Sequence, residues 1–132
     1  MQAANLQKAV FQALSNSPAL TQIVGNRIYD YEAQDVAYPH IVIGELDTND
    51  WSVKNVEGQE HLITLHIWSR RRGKLEAHTI CDHIYSALHN QALNLGPGAL
   101  IKIRLQRNNV FTDADGITTH AVMDFIVWTT EG

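Results

Sequence analysis

His61-Leu62-Ile63-Thr64-Leu65-His66-Ile67-Trp68 alternates without a break. In an extended chain Ile63, Leu65 and Ile67 fall on one side, and Thr64, His66 and Trp68 on the other. This stretch is a strand with one face for a core and a second, partly aromatic face that needs an explanation of its own. Upstream, Pro39 precedes the β-branched run Ile41-Val42-Ile43. Proline is harmless at the start of a strand, where its missing N–H is not needed, and the run after it reads as a second strand. Between the two, Asp47 to Gly58 is polar and reads as a long loop carrying Trp51. Downstream, Arg70-Arg71-Arg72-Gly73 is a turn, and Lys74 to Asn90 is a helix. Its apolar stripe is Ala77, Ile80, Cys81, Ile84, Ala87 and Leu88, with Tyr85 at the margin.

Toward the carboxyl end, Gly96-Pro97-Gly98 closes a connection. Ile101, Ile103 and Leu105 then alternate with Lys102, Arg104 and Gln106. Asp113-Ala114-Asp115-Gly116 signals a turn. Ala121, Met123, Phe125 and Val127 alternate with His120 and Asp124, while Ile126 and Trp128 make the second face apolar too. These two runs read as an antiparallel hairpin. Toward the amino end, residues 3 to 14 form a helix, with Ala3, Leu6, Val10, Ala13 and Leu14 on one face and Phe11 at its edge. Ser17 caps a short helix that has Pro18 at its first position, runs through Ala19 to Val24 and stops at Gly25. Ile28-Tyr29 begins a short strand, and Tyr31 to Tyr38 is loop. The order helix, strands, helix, strands predicts one α+β domain over residues 1–132. Its sheet is mostly antiparallel, with about four main strands and two long helices packed on one face.

Composition narrows the function. The chain has 132 residues, ten Lys+Arg against fourteen Asp+Glu, and a formal net charge of −4. A protein that grips nucleic acid by neutralising phosphates carries the opposite sign. A lone cysteine excludes an intrachain disulfide framework. The amino terminus lacks a basic start followed by an apolar run, and no stretch could span a bilayer, so a soluble protein made in the cytosol, with no membrane partner, is expected.

Seven histidines in so small a chain raise the question of metal or proton chemistry. His78, Asp82 and His89 share a helical ridge with Tyr85, but the ridge lies opposite the apolar stripe and lacks the further ligands that zinc requires. It reads as a solvated face. His61 and His66 have opposite strand parity, and His40 and His120 read as half-buried hydrogen-bonding residues. Cys81 is on the core side of its helix, an inert small hydrophobe. No phosphate-binding glycine loop or nucleophile elbow is present, and Asp113-x-Asp115-Gly116 lacks the remaining ligands of a calcium loop. No catalytic, cofactor-binding or metal-binding residue is therefore assigned. Two features remain as interface candidates. Arg70, Arg71 and Arg72, with Lys74, stand before a helix and oppose its amino-terminal dipole. They suit a phosphate or an acidic protein partner, or else form a solvated turn. Trp51, Trp68 and Trp128 are the other candidates: Trp68 and Trp128 fall on the sheet face away from the core, where an exposed aromatic patch marks an interface unless the loop Asp47 to Gly58 folds over it.

Several strings, in order and at similar spacing, resemble one family. They are Arg27-Ile28-Tyr29-Asp30, then Asp35 and Tyr38-Pro39-His40-Ile41-Val42-Ile43-Gly44-Glu45, then Gly58-Gln59-Glu60-His61 leading into Leu65-His66-Ile67-Trp68-Ser69-Arg70. Gly73-Lys74, Glu76-Ala77 and Asp113-x-Asp115-Gly116 before a final strand complete the set. The chain is similar over essentially its whole length to the tail-completion proteins of long-tailed bacteriophages and gene transfer agents, also described as tail terminators or tail-to-head joining proteins. The resemblance implies a non-enzymatic α+β domain that assembles as a hexameric ring. Such a ring caps the tail tube at the head-proximal end of the particle, meets the head connector or stopper, and lets DNA pass through its lumen without specific binding. It also implies assembly in the host cytoplasm, and it implies no cofactor. The alternatives are a head-side connector or minor tail protein of the same particle and, further off, a small metal-dependent enzyme using His78, Asp82 and His89 or a nucleic-acid-binding module using Arg70, Arg71, Arg72 and Lys74. A ring needs one patch to meet a different patch on its neighbour. The apolar second sheet face and the segment Asp47 to Gly58 are the expected contacts.

Overall fold

The computed structural model describes residues 1–131. Its elements are α1 (Ala3–Ser15), α2 (Pro18–Val24), β1 (Ile28–Tyr29), β2 (His40–Asp50), β3 (Gly58–Ser69), α3 (Leu75–Leu88), β4 (Ala99–Thr112) and β5 (Thr119–Thr130). The strands form one sheet in the order β1-β2-β3-β5-β4. β1 lies parallel to β2, and the other pairs are antiparallel. The fold class is α+β as expected. In detail the sheet has five strands and is mixed, and three helices cover it. The short Ile28–Tyr29 strand adds the parallel edge, since the connection from Asp30 to Pro39 brings the chain back to the same end of the sheet before β2 begins.

β3 is paired along both edges, from Gly58↔Thr130 to Ser69↔Thr119 on one side and from Asp50↔Gln59 to His40↔Trp68 on the other. Ile63, Leu65 and Ile67 point into the core with Met123, Phe125 and Val127 of β5 and Ile41 and Ile43 of β2. Leu6, Val10 and Leu14 of α1, Leu20 and Val24 of α2, and Ile80, Cys81, Ile84 and Leu88 of α3 close over them. The predicted caps of α2 are present: Ser17 Oγ accepts a hydrogen bond from the Leu20 N–H at 3.4 Å, Pro18 opens the helix, and Gly25 stops it at φ +60°. No helix of the described residues is long and apolar enough to cross a membrane.

Two expectations are corrected. Asp47 to Gly58 is not a long loop. β2 continues to Asp50 and β3 begins at Gly58, so the connection is only Trp51 to Glu57, drawn together by a Val53–Val56 bridge. The polarity that resembled a loop belongs to an edge strand, since beyond Val42 the outer side of β2 has no neighbouring strand. The alternation of Ile101, Ile103 and Leu105 is also interrupted. Bulges lie between Leu100 and Lys102 and between Leu105 and Arg107. Ile103 is buried, whereas Ile101 is 55% exposed. After the second bulge the phase flips: Asn108 and Val110 lie opposite the core residues Met123 and Ala121, and Arg107 falls opposite Asp124.

His61 is fully buried on the core face, its ring hydrogen-bonded to the hydroxyls of Thr48 and Thr129 at 2.9 Å each. Burial holds its pKa below the ordinary 6.5, and burial likewise lowers His40 and His120. Unfolded, these imidazoles take up protons near 6.5, where the folded ones stay neutral. The unfolded state therefore binds more protons below that value, and stability falls with pH until the folded imidazoles themselves titrate. The urea midpoint should drop between about pH 7.5 and about pH 5.5, and His61→Gln should flatten that drop. A midpoint constant across this range would contradict it. By the same measurement Phe125→Ala should cost about 3–5 kcal/mol at neutral pH, the usual loss for a fully buried phenyl ring.

Candidate functional site: the open face of the sheet

All three helices pack on one side, so no helix covers the other side of the sheet, where only the 32–38 loop and Arg70 reach over one end. Strand parity sends Glu60, Leu62, Thr64, His66 and Trp68 of β3 there, with His120, Val122, Asp124, Ile126 and Trp128 of β5. The register arranges them in rows across the sheet. The first row is His40, Trp68, His120 and Phe111. Trp68 stacks on His120 at 3.7 Å with 14° between planes, and Phe111 packs on the other flank of His120 at 5.0 Å. Tyr38 packs on His40 at 4.8 Å, and the Arg70 guanidinium lies 4.2 Å from the centre of the Tyr38 ring. Beside this row is a cleft of about 300 Å³ between Glu32, Asp35, Tyr38, His40, Trp68 and Arg70. His40 Nδ1 and Trp68 Nε1 are buried without a hydrogen-bond partner.

The second row holds a polar chain. His66 Nδ1 lies 2.9 Å from His120 Nε2, and His66 Nε2 lies 3.2 Å from Glu45 Oε1. The hydrogen bond to His66 holds the Glu45 carboxyl below its usual range. Burial, and then the neighbouring His66, lower the pKa of His120. Further along, the Thr64 hydroxyl donates to Asp124 at 2.6 Å. Two more rows follow, Asp47-Leu62-Ile126-Arg104 and Asn49-Glu60-Trp128-Lys102, and Trp128 Nε1 donates to Glu60 at 3.1 Å. At this end Trp51, 41% exposed, stands against the backbone of Gly58, where a Cβ would come within 3.1 Å of its ring.

The tryptophans therefore reach the open face but do not form one patch. Trp68 lies at one end. Trp128, opposite Glu60, and Trp51 lie at the other, roughly 26 Å along β3 at the usual strand rise. The arginines also separate, Arg70 from Arg71 and Arg72, which line one cleft with Leu75 and Thr79. Arg70 joins Tyr38 and donates from Nε to Thr118 at 3.2 Å, Arg71 reaches Glu76 at only 4.0 Å, and Arg72 is exposed. The structure adds residues that sequence reading left unassigned: Glu45 and Asp47 at the β2 edge, and Lys102, Arg104 and Arg107 at the β4 edge. The signal was available in the spacing of those cations, which steps by two and then by three, as a bulge requires.

Elsewhere the chemical candidates separate. His78 and Asp82 are exposed, whereas the His89 ring stacks on Tyr85 at 4.4 Å and its Nδ1 accepts the Leu105 N–H at 3.0 Å. Among the described residues no three His, Cys, Asp or Glu side chains converge where they could hold a metal. Asp115 accepts from the Ile117 and Thr118 N–H groups and from the Thr118 hydroxyl, so the Asp113–Gly116 segment is a turn. These bonds bring its carboxyl down to about 2.

Comparison with known proteins gives a consistent picture. The family model described as tail completion protein gp17 matches residues 8–130. The tail completion protein gp17 of Bacillus phage SPP1 is 27% identical over 118 residues, spanning 89% of this chain and 87% of its own. A chain from the virion of a native gene transfer agent particle superimposes with a TM-score of 0.89 at 23% identity, covering 97% of this chain and 96% of that one. The structure of bacteriophage SPP1 gp17 superimposes with a TM-score of 0.63 at 24% identity, covering 94% and 88%. At these identities the two superpositions establish a shared fold.

Cys81, buried on the core side of α3, has its thiol pushed up to about 12 by burial. It should resist iodoacetamide at about pH 8 in the folded chain and label fully in urea. Rapid labelling of the native protein, followed by mass spectrometry, would contradict that.

Proposed function

The chain belongs to the tail completion protein gp17 family, and from that premise we propose that it is a tail terminator of a phage-like particle. In this reading it forms a hexameric ring at the head-proximal end of the tail. The ring caps the tail tube, presents its other side to the head connector or stopper, and leaves a passage for DNA. Assembly takes place in the host cytoplasm. The observation that carries the reading is the family match over residues 8–130, nearly the whole chain. The family consists of structural tail completion proteins, not enzymes.

The physical features agree with this role. A ring needs a surface that differs on its two sides, so that each copy meets the next in the same way. A sheet with one helix-covered face and two dissimilar edges supplies one. A lumen that conducts DNA should not hold it. A chain of net charge −4 disfavours tight retention of a phosphate backbone.

The test is particle assembly in producing cells that lack this chain. The expected result is unjoined heads and tails of irregular length, with joining restored when the chain is supplied in trans. Tails of normal length attached to heads in its absence would refute the reading.

A further inference from the structure

We propose that copies of this chain join edge to edge. The acidic outer row of β2, Glu45 and Asp47, would meet the basic outer row of β4, Lys102, Arg104 and Arg107, on the next copy. This inference rests on the ring reading above and adds the surface that closes the ring.

Four observations carry it. First, neither outer edge of the sheet is covered by a further strand along most of its length. β1 covers only Ile41 and Val42, so from Ile43 to Asp50 β2 has no outer neighbour, and β4 has no strand beyond it. Second, the edges have opposite charge. Glu45 and Asp47 are exposed on β2, and Lys102, Arg104 and Arg107 are exposed on β4. Among the described residues Asp47, Lys102, Arg104 and Arg107 make no ion pair within the chain. Charges that served only to keep edges apart would work with one sign on both. Opposite signs attract instead.

Third, the levels match. Reading across the registers, Asp47 lies level with Arg104 through Leu62 and Ile126. Asn49 lies level with Lys102 through Glu60 and Trp128. The bulge that holds Glu45 lies opposite Thr64, which is level with Asp124 and Arg107. Copies placed side by side without a shift along the strands therefore set Glu45 near Arg107 and Asp47 near Arg104. Fourth, β2 and β4 run antiparallel to each other, because three antiparallel pairings separate them. A neighbour generated by rotation alone thus continues the antiparallel pattern.

The middle of β4 is closed to backbone pairing. The Asn90 N–H donates to the Ile103 carbonyl at 2.8 Å, and the Leu105 N–H donates to His89 at 3.0 Å. Side-chain pairs therefore make the contact at that level. The contact is heterologous, acid to base, and so repeats around a ring instead of stopping at a dimer. Its opposite signs also speed encounter and disfavour an inverted neighbour, which would set like charges side by side.

The test uses two variants in particle-producing cells that lack the natural chain. One inverts the basic edge (Arg104→Glu with Arg107→Glu), and the other inverts the acidic edge (Glu45→Lys with Asp47→Lys). All four positions are exposed, and circular dichroism of each purified variant checks its fold. Each variant alone should lower the yield of joined particles at least roughly tenfold, because both of its edges then carry one sign. Two conditions should restore the yield: co-expression of the two variants, which can alternate around a ring, and all four substitutions on one chain, which reverses its polarity. Normal yield from either variant alone would overturn the edge contact. Failure of both rescues would also overturn it, by showing that these charges meet something other than a second copy. If cells with no copy at all produce joined particles, the ring reading itself falls, an outcome separate from either of these.

Discussion

The register of β3 is the constraint on which the rest of the structure depends. It is paired on both edges and buried on one face, so a slip of one residue would move Ile63, Leu65 and Ile67 to the open face and put His66 and Trp68 into the core. Burying each of those three side chains contributes about 1.5–3 kcal/mol. Exchanging them for groups that need hydrogen bonds would cost more still. Once this register is set, β5 and the inner half of β2 have only one position available. The even-numbered residues of β3 are then committed to a face that no helix covers. The stacking of Trp68 on His120 and the Glu45-His66-His120 chain show how that face manages without a covering layer.

Legibility in the sequence followed the number of neighbours a segment has. β3 and β5 lie inside the sheet, and their alternation was unambiguous because a core on one side enforces it. The stripe of α3 and the Ser17-Pro18 to Gly25 helix were equally clear, since burial and capping each demand particular residues. The edges were not. The outer half of β2 has one strand partner and faces water, so Asp47, Asn49 and Asp50 resemble a loop. β4 is re-phased twice by bulges, and a strict two-residue period misplaces Ile101 and stops short of Arg107. β1 is too short to show a period at all.

The candidate site was legible in the same uneven way. Parity alone placed Trp68 and Trp128 on the open face. It could not show that they stand at opposite ends, because distance along a strand matters only once the partners across the sheet are known. The Arg70-Arg71-Arg72 run looks like one patch, but Arg70 bonds to Thr118 and packs on Tyr38, whereas Arg71 and Arg72 line a separate cleft beside Glu76. The charges that do line up, Lys102, Arg104 and Arg107 against Glu45 and Asp47, come from segments far apart in the chain. Only the five-strand order places them on opposite edges of one surface. A membership visible in scattered strings thus gains a physical account in which the inner strands secure the fold and the two unlike edges are left for neighbours.

The most direct measurement is a reconstruction of the particle neck at a resolution that traces strands. The account predicts a single closed ring of this chain at the head end of the tail tube, with an open lumen and each β2 edge beside the β4 edge of the next copy. Density for the chain elsewhere in the particle, or isolated copies with both sheet edges facing solvent, would contradict it.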